Sequence, residues 1–320
     1  MVIHINLEHL CNDLRRFWDL ETIGITPNQQ KPLTAGDSQI LQEFHNSYHI
    51  EHSRRIVCLP KKNMCDLSLN RDTAERRFRT LQTRLQQDDA LRTICEEQML
   101  DHVMKEQVEL APTTESLTGV FYLPHHAVKK ERRGKIRWRI VFNVSSSEGN
   151  SPSLNDVLEM GPILLSEVLA TLLHFRGHSV AVIGDIKQAF LQLSLDRRDR
   201  DLTRFFWYRI SKDDKGNHYT THEVVTYRFT RLPFGLTCSP FLLSATVREL
   251  ATMCREEYPN AAPLLDSNMF MDDFVAGVED GNGAICIHYE LSALMKTINF
   301  RMVKCATGCE ELKEIWEAEV

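Results

Sequence analysis

Met269-Phe270-Met271-Asp272-Asp273-Phe274-Val275-Ala276 reads as an apolar strand, two adjacent carboxylates and a second apolar strand. Runs this short and this apolar, broken by a turn-prone Asp pair, predict a tight hairpin with buried arms. Flanking two acids with buried strands is costly unless a cation or hydrogen bonds compensate. A divalent metal at the turn is the simplest compensation. An Asp-Asp pair alone also marks an ordinary solvated turn, so the hairpin needs partners elsewhere in the chain.

The first partner lies upstream. Residues 180–183 form an apolar run ending at Gly184-Asp185, and residues 186–190 turn into a short helix. A carboxylate just past a buried strand suits a metal ligand, although it could equally cap that helix. Between Asp185 and the hairpin, two strands are expected over 204–210 and 222–230, joined by a turn at 213–217. Arg231-Leu232-Pro233-Phe234-Gly235-Leu236 then makes a glycine-bearing loop, with Ser239 as N-cap and Pro240 opening a helix to about residue 255. Beyond the hairpin the pattern gives a helix over 284–295 and a strand over 300–304. Earlier, residues 120–123 read as a strand running into Pro124, residues 137–142 as the return arm of a hairpin turning at Gly134, and a helix starts near Leu165. Residues 1–110 read mostly as helix, with Leu10, Leu14, Phe17 and Trp18 on one face, then Phe78, Leu81 and Leu85. Asp88 and Asp89 are expected to cap a further helix carrying Leu91, Ile94, Cys95, Met99 and Val103.

Composition bounds the alternatives. The chain has 320 residues, 42% hydrophobic and 26% charged, enough for a real core with two domains or one large fold with subdomains. No apolar run approaches the roughly 18–20 residues that cross a bilayer, and the N-terminus lacks the basic-then-apolar layout of a signal peptide. Nine scattered cysteines without paired Cys-x-x-Cys spacing argue against zinc and for free thiols in a reducing compartment. The net charge of −6 conceals a basic segment: Lys129, Lys130, Arg132, Arg133, Lys135, Arg137 and Arg139 are opposed there only by Glu131. Local charge is what meets a phosphate backbone.

Asp185 on one strand and Asp272-Asp273 on a turn are three acids able to hold two divalent cations, as two-metal phosphoryl transfer requires. Magnesium suits hard oxygen ligands of this kind, with manganese as a stand-in. The basic hairpin would neutralise a triphosphate, guanidinium giving bidentate contact.

The chain resembles the reverse transcriptase region of a long-terminal-repeat retrotransposon polyprotein, specifically the BEL/Pao group. The motifs stand in the family's order: Lys135 to Asn143, Asp185-Ile186-Lys187-Gln188-Ala189-Phe190, Leu232-Pro233-Phe234-Gly235-Leu236 with Ser239-Pro240, Phe270-Met271-Asp272-Asp273, and Phe300 to Lys304. The BEL/Pao likeness rests on Arg16 to Glu21, Tyr122 to Val128, and Ser153 to Leu158. The resemblance implies an α+β fold: right-hand polymerase fingers and palm with an N-terminal helical extension, the thumb lacking. It places the extension at 1–115, fingers at 116–165 and 194–238, palm at 166–193 and 239–308, and the start of a following region at 309–320.

The resemblance also implies roles. Asp185, Asp272 and Asp273 bind two magnesium ions; Arg139, Lys129 and Arg132 contact the incoming triphosphate. Phe190 is a steric gate against the ribose 2′-hydroxyl, Phe234 and Gly235 shape the nucleotide pocket, and Lys304 assists pyrophosphate departure. The expected partners are an RNA or DNA template with primer, deoxynucleoside triphosphates and the rest of the Pol polyprotein, with no membrane. The expected location is intracellular, cytoplasmic or nuclear, and not secreted. Asn143 departs from the family's usual Asp, so a fingers salt bridge would be missing, and Phe270 replaces a common Tyr. A competent RNA-directed DNA polymerase, a truncated inactive relic that at most binds nucleic acid, and a two-metal nuclease are therefore all to be weighed.

Overall fold

The structure is a computed structural model that describes residues 33–62, 67–113, 119–132, 135–165 and 168–318. The helix expected around Leu10 to Trp18 and the motif at Arg16 to Glu21 lie outside the described residues. In chain order come α1 (Ala35–Ser47), β1 (His49–Glu51), β2 (Arg54–Val57), α2 (Arg71–Gln87), α3 (Asp89–Met104) and β3 (Val108–Leu110). Then follow β4 (His125–Arg132), β5 (Lys135–Phe142), α4 (Val168–Arg176), β6 (Val180–Ile186), α5 (Ala189–Gln192) and β7 (Ser194–Leu195). The long hairpin β8 (Arg204–Lys212) and β9 (His218–Phe229) leads to α6 (Ser239–Met253) and α7 (Ala261–Ser267). Last are β10 (Met269–Phe270), β11 (Asp273–Val278), α8 (Gly281–Lys296), β12 (Met302–Thr307) and α9 (Glu310–Ala318). The mixed helix-and-sheet class expected from the pattern is what the chain forms.

These elements fall into two compact units. One holds the described residues up to Gln39, Pro162–Ala189 and those from Leu243 on; the other holds Ile40–Gly161 and Phe190–Leu242. The first is built on a four-stranded antiparallel sheet ordered β10-β11-β6-β12. One face of that sheet, with Val182, Ile186, Phe274, Ala276 and Val278, is buried. α8 packs its apolar stripe of Ala284, Ile287, Leu291 and Leu294 in the same core. α8 starts where the Asp280 carboxylate caps the Gly283 N–H at 2.8 Å. On the other face α4 lies so close to β11 that a Cβ on Gly277 would sit 2.8 Å from the His178 Cβ and 2.9 Å from the Phe175 carbonyl oxygen. Only glycine admits this approach.

The second unit carries the β3-β9-β8 sheet, the β1-β2-β7 sheet and the β4-β5 ribbon. Its core is aromatic: Tyr122 stacks on Phe206 with centroids 5.0 Å apart, and Phe142, Phe205 and Phe229 meet edge to face or tilted at 4.9–5.3 Å. α2 presents Phe78, Leu81 and Leu85 to this core, as the periodicity predicts. α3 begins at Asp88, whose carboxylate accepts from the Leu91 N–H at 2.9 Å. Several boundaries differ from the sequence reading, such as the strand expected over 300–304, which runs Met302–Thr307, and two of the differences have a clear cause in hydrogen bonding. Residues 120–123 are buried but form a single parallel bridge, Tyr122 to Arg204, and not a strand. Asn70 holds Tyr122 instead, pairing with its N–H and its carbonyl at 2.8 and 2.7 Å. At α6, Leu242 N–H reaches the Cys238 carbonyl at 3.0 Å, so Cys238 precedes the first turn, and the Ser239 hydroxyl donates to the Pro233 carbonyl at 3.2 Å.

His125 has a measurable consequence. Its imidazole is buried among Phe78, Phe142, Phe205 and Trp207, with centroids 5.2–5.8 Å away. Burial pushes its pKa down to about 3. The unfolded imidazole titrates near 6.5, so below that pH the unfolded chain binds the extra proton and stability falls as pH drops toward 3. At up to about 1.4 kcal/mol per pH unit, lowering pH from 6.5 to 5 is expected to cost about 2 kcal/mol. Burial lowers the pKa of His102 as well, with the same sign. Urea unfolding at pH 7, 6 and 5 checks this: His125→Phe should flatten most of the slope, and an unchanged slope would assign it to other groups.

Candidate active site

The expected hairpin forms, but its turn falls one residue earlier than the Asp pair, so Asp273 opens the second strand. Phe270 pairs with Asp273, leaving Met271 and Asp272 as a two-residue turn. Met271 adopts φ 57°, the left-handed conformation that tight hairpins demand and that non-glycine residues adopt at a cost of roughly 1–2 kcal/mol. β11 then runs antiparallel to β6, setting Asp273 directly opposite Asp185. Residues paired this way share a face, with Cβ atoms about 4.5–5.5 Å apart. Asp272 is tied in through its carbonyl, which accepts the Ile186 N–H at 2.7 Å. Asp185 lies within β6, one residue short of its end, so it does not cap the helix that follows.

Like charges meet here at a face only partly covered. The Asp273 carboxyl is raised above its usual range, first by burial and then by the charges of Asp272 and Asp185, with Lys304 partly offsetting them. Lys304 places its ammonium on the Asp185 carboxylate. A regular strand would not bring it there. Val303 pairs with Asp185 and Ala306 with Ile183, so β12 uses three steps where β6 uses two. The extra residue is a bulge, and Lys304, with φ 54°, is turned from the face opposite Asp185 onto it. With Gln188 at φ 53°, three of the seven positive-φ non-glycine residues among those described flank this carboxylate group. Strain gathered at one site is a common property of functional centres.

The residues fit a divalent cation in donor chemistry: hard carboxylate oxygens, crowded by like charge, with an ammonium already drawn to one of them. Among the described residues no trio of His, Cys, Asp or Glu is gathered tightly enough to ligate one ion. The strands therefore bring the three acids together as neighbours without closing a ligand cage.

The remaining site residues lie in the second unit. β4 and β5 pair with Val128 opposite Arg139, Lys129 opposite Trp138 and Arg132 opposite Lys135. Alternation puts Lys130 on the face of Arg139, with Arg132, Lys135 and Arg137 at register positions in phase with it. Lys129 falls on the other face, so the register does not group it with Arg139 and Arg132. Both Lys129 and Arg139 are exposed. Phe190 is 9% exposed and meets Phe234 edge to face at 5.1 Å, while Phe234 itself is 51% exposed. Gly235 has φ 97°, which side chains rarely tolerate, and a Cβ there would come within 3.3 Å of Val144.

One residue here carries a role that the pattern did not suggest. Asn155 donates to the Gly235 carbonyl at 2.9 Å and accepts from the Thr237 N–H at 2.9 Å, bracing the Pro-Phe-Gly loop across eighty residues of chain. Its only sequence signal was membership of the Ser153 to Leu158 motif. Asn143 N–H donates to the Pro124 carbonyl at 2.7 Å, and the residue lines a cavity with Arg77, Arg84 and His126.

Residues 129–310, which include every candidate site residue, match the family model described as reverse transcriptase (RNA-dependent DNA polymerase). The chain belongs to the reverse transcriptase family. It is similar to an Intracisternal A-particle Pol-related polyprotein of mouse intracisternal a-particle MIA14, 27% identical over 199 residues. That match covers 62% of this chain and 19% of the other, so this reverse transcriptase chain spans about a fifth of the length of the curated relative. A solved structure, the foamy viral protease-reverse transcriptase dRH in complex with ds DNA, is 17% identical with a TM-score of 0.46, over 64% of this chain and 30% of that one. No helix among the described residues is long and apolar enough to cross a membrane.

Proposed function

We propose that the chain is the reverse transcriptase region of a BEL/Pao-type retrotransposon Pol polyprotein, an RNA-directed DNA polymerase acting inside the cell on a primed RNA or DNA template. The observation that carries this is the direct pairing of Asp185 with Asp273, with Asp272 in the adjoining turn. The BEL/Pao assignment draws on the motifs at Tyr122 to Val128 and Ser153 to Leu158. The palm is assigned to 166–193 and 239–308, the fingers to 116–165 and 194–238, with 1–115 as an extension.

Asp185, Asp272 and Asp273 would hold two magnesium ions, and manganese could replace them. Bound divalent cations lower the pKa of an attacking hydroxyl and stabilise charge on a leaving oxygen. Arg139, Arg132 and Lys129 would neutralise the triphosphate of the incoming deoxynucleotide. Lys304, an ammonium beside Asp185, would offset charge on the departing pyrophosphate. Gly235 and Phe234, on a loop braced by Asn155, would shape the pocket for the base and sugar, and Phe190 would exclude the 2′-hydroxyl.

The test is extension of a primed RNA template by deoxynucleotides, using the chain alone and fused to the downstream region of the similar Pol polyprotein. Extension should require magnesium or manganese and stop with EDTA. Salt-dependent binding of the template without incorporation in either form would reject the polymerase and favour an inactive relic.

A further inference from the structure

Arg231 follows β9 and opens the Leu-Pro-Phe-Gly loop, and among the described residues its guanidinium forms no ion pair, although the charge of Glu106 partly offsets its cationic neighbours. It is 5% exposed and donates to the Ser194 hydroxyl. The surrounding backbone is clamped: Arg231 bridges Ser194, Leu232 N–H reaches the Leu193 carbonyl at 3.0 Å, and Leu195 N–H reaches the Thr230 carbonyl at 2.9 Å. Arg231 lines a cavity of about 450 Å³ together with Arg54 of β2, Arg197 and Arg200. The whole cavity lies within one unit and contains no residue of β4 or β5.

Four guanidinium groups face three carboxylates in this cavity, and the carboxylates are largely engaged. Glu109 pairs with Arg200 at 3.2 Å and with Arg228 at 2.7 Å, and Glu51 lies 3.6 Å from Arg197. Glu106 is exposed. Arg54, half-buried, forms no ion pair among the described residues. Burial, then the neighbouring charges of Arg54 and Arg200, pull the Arg231 pKa down to about 10. The cavity's four guanidinium groups outnumber its three carboxylates, two of which are already paired, and such an excess is complementary to an oxyanion, which guanidinium binds through paired hydrogen bonds.

We propose that Arg231 and Arg54, with the Ser194 hydroxyl, form a phosphate-binding pocket separate from the basic hairpin and independent of the polymerase reading. Its ligand is a phosphate group, carried either by a nucleic-acid strand or by a free phosphate or pyrophosphate. Calorimetric titration of the full chain with inorganic phosphate and pyrophosphate tests it, alongside anisotropy of a short single-stranded RNA across a salt series. Arg54→Gln and Arg231→Lys are each expected to weaken phosphate binding about tenfold, the order of one charge-assisted contact. If the ligand is strand-borne, Arg54→Gln should also reduce the salt slope of RNA binding by about one. If it is free phosphate, that slope stays and only phosphate affinity falls. Arg209→Gln, on β8, paired with Glu223 and outside the cavity lining, is the control. The pocket is refuted if the wild type binds no phosphate, if a folded Arg54→Gln variant binds it within twofold of wild type, or if the control weakens binding as much.

Discussion

Asp185→Asn is expected to lower deoxynucleotide incorporation by roughly 10³-fold, the scale on which removing one charge-stabilising group acts in a preorganised site, while leaving the fold intact. The side chain is nearly isosteric, and β6 keeps its ladder to β11 and β12 because those bonds are made by backbone. Among the described residues the only ion pair lost is to Lys304, whose side chain is 74% exposed against 22% for Asp185, and exposed pairs contribute about 0–1 kcal/mol. Stability and activity therefore separate: melting should shift by a few degrees at most while extension collapses. A second readout guards against a trivial loss. With the Asp185 charge gone, one of the causes that raise the Asp273 carboxyl disappears, so its titration, followed by carboxyl NMR, should move down. Extension within tenfold of wild type would remove Asp185 from the metal site. An unmoved Asp273 would mean the two carboxylates do not sense each other.

The parts of this site legible in the sequence are those fixed by local periodicity. The apolar run before Asp185 and the Asp pair between apolar arms each predict a buried strand beside an acid, and the sheet places Asp185 within β6 opposite Asp273 at the start of β11. What escaped the pattern depends on register and on distant packing. Nothing in Met302-Val303-Lys304-Cys305 announces a bulge, because the left-handed residue is a lysine and not a glycine. Lys129 seemed to belong with Arg139 because both sit in one basic run, but facing is set by the register of β4 against β5. α7 was hidden by Pro259 and Pro263, although Pro263 occupies the first turn, where a missing N–H costs nothing. Arg54, Ser194 and Arg231 share no motif, and only the β1-β2-β7 sheet and the bridge to Arg231 bring them to one cavity.

Phe190→Ala should raise the preference for ribonucleotides over deoxynucleotides by roughly 10–100-fold in relative kcat/KM, the range that steric exclusion of a small group provides. The ring is almost wholly covered, and it meets the exposed Phe234 edge to face at 5.1 Å. That geometry supports two readings, a gate under the sugar or a packing residue that holds Phe234. They differ in what truncation does. Removing a buried Phe costs about 3–5 kcal/mol, so a packing role lowers stability and slows incorporation of both sugars alike. A gate changes the ratio. Phe190→Val, which leaves a smaller cavity, should keep the protein folded and still relax the ratio in part, so a destabilised alanine variant cannot mask the outcome. If both variants keep the ribose to deoxyribose ratio within twofold of wild type, Phe190 is a core aromatic and discrimination resides elsewhere. If the ratio rises in the order Phe, Val, Ala while deoxynucleotide kcat falls little, the volume of this one side chain is what rejects the 2′-hydroxyl.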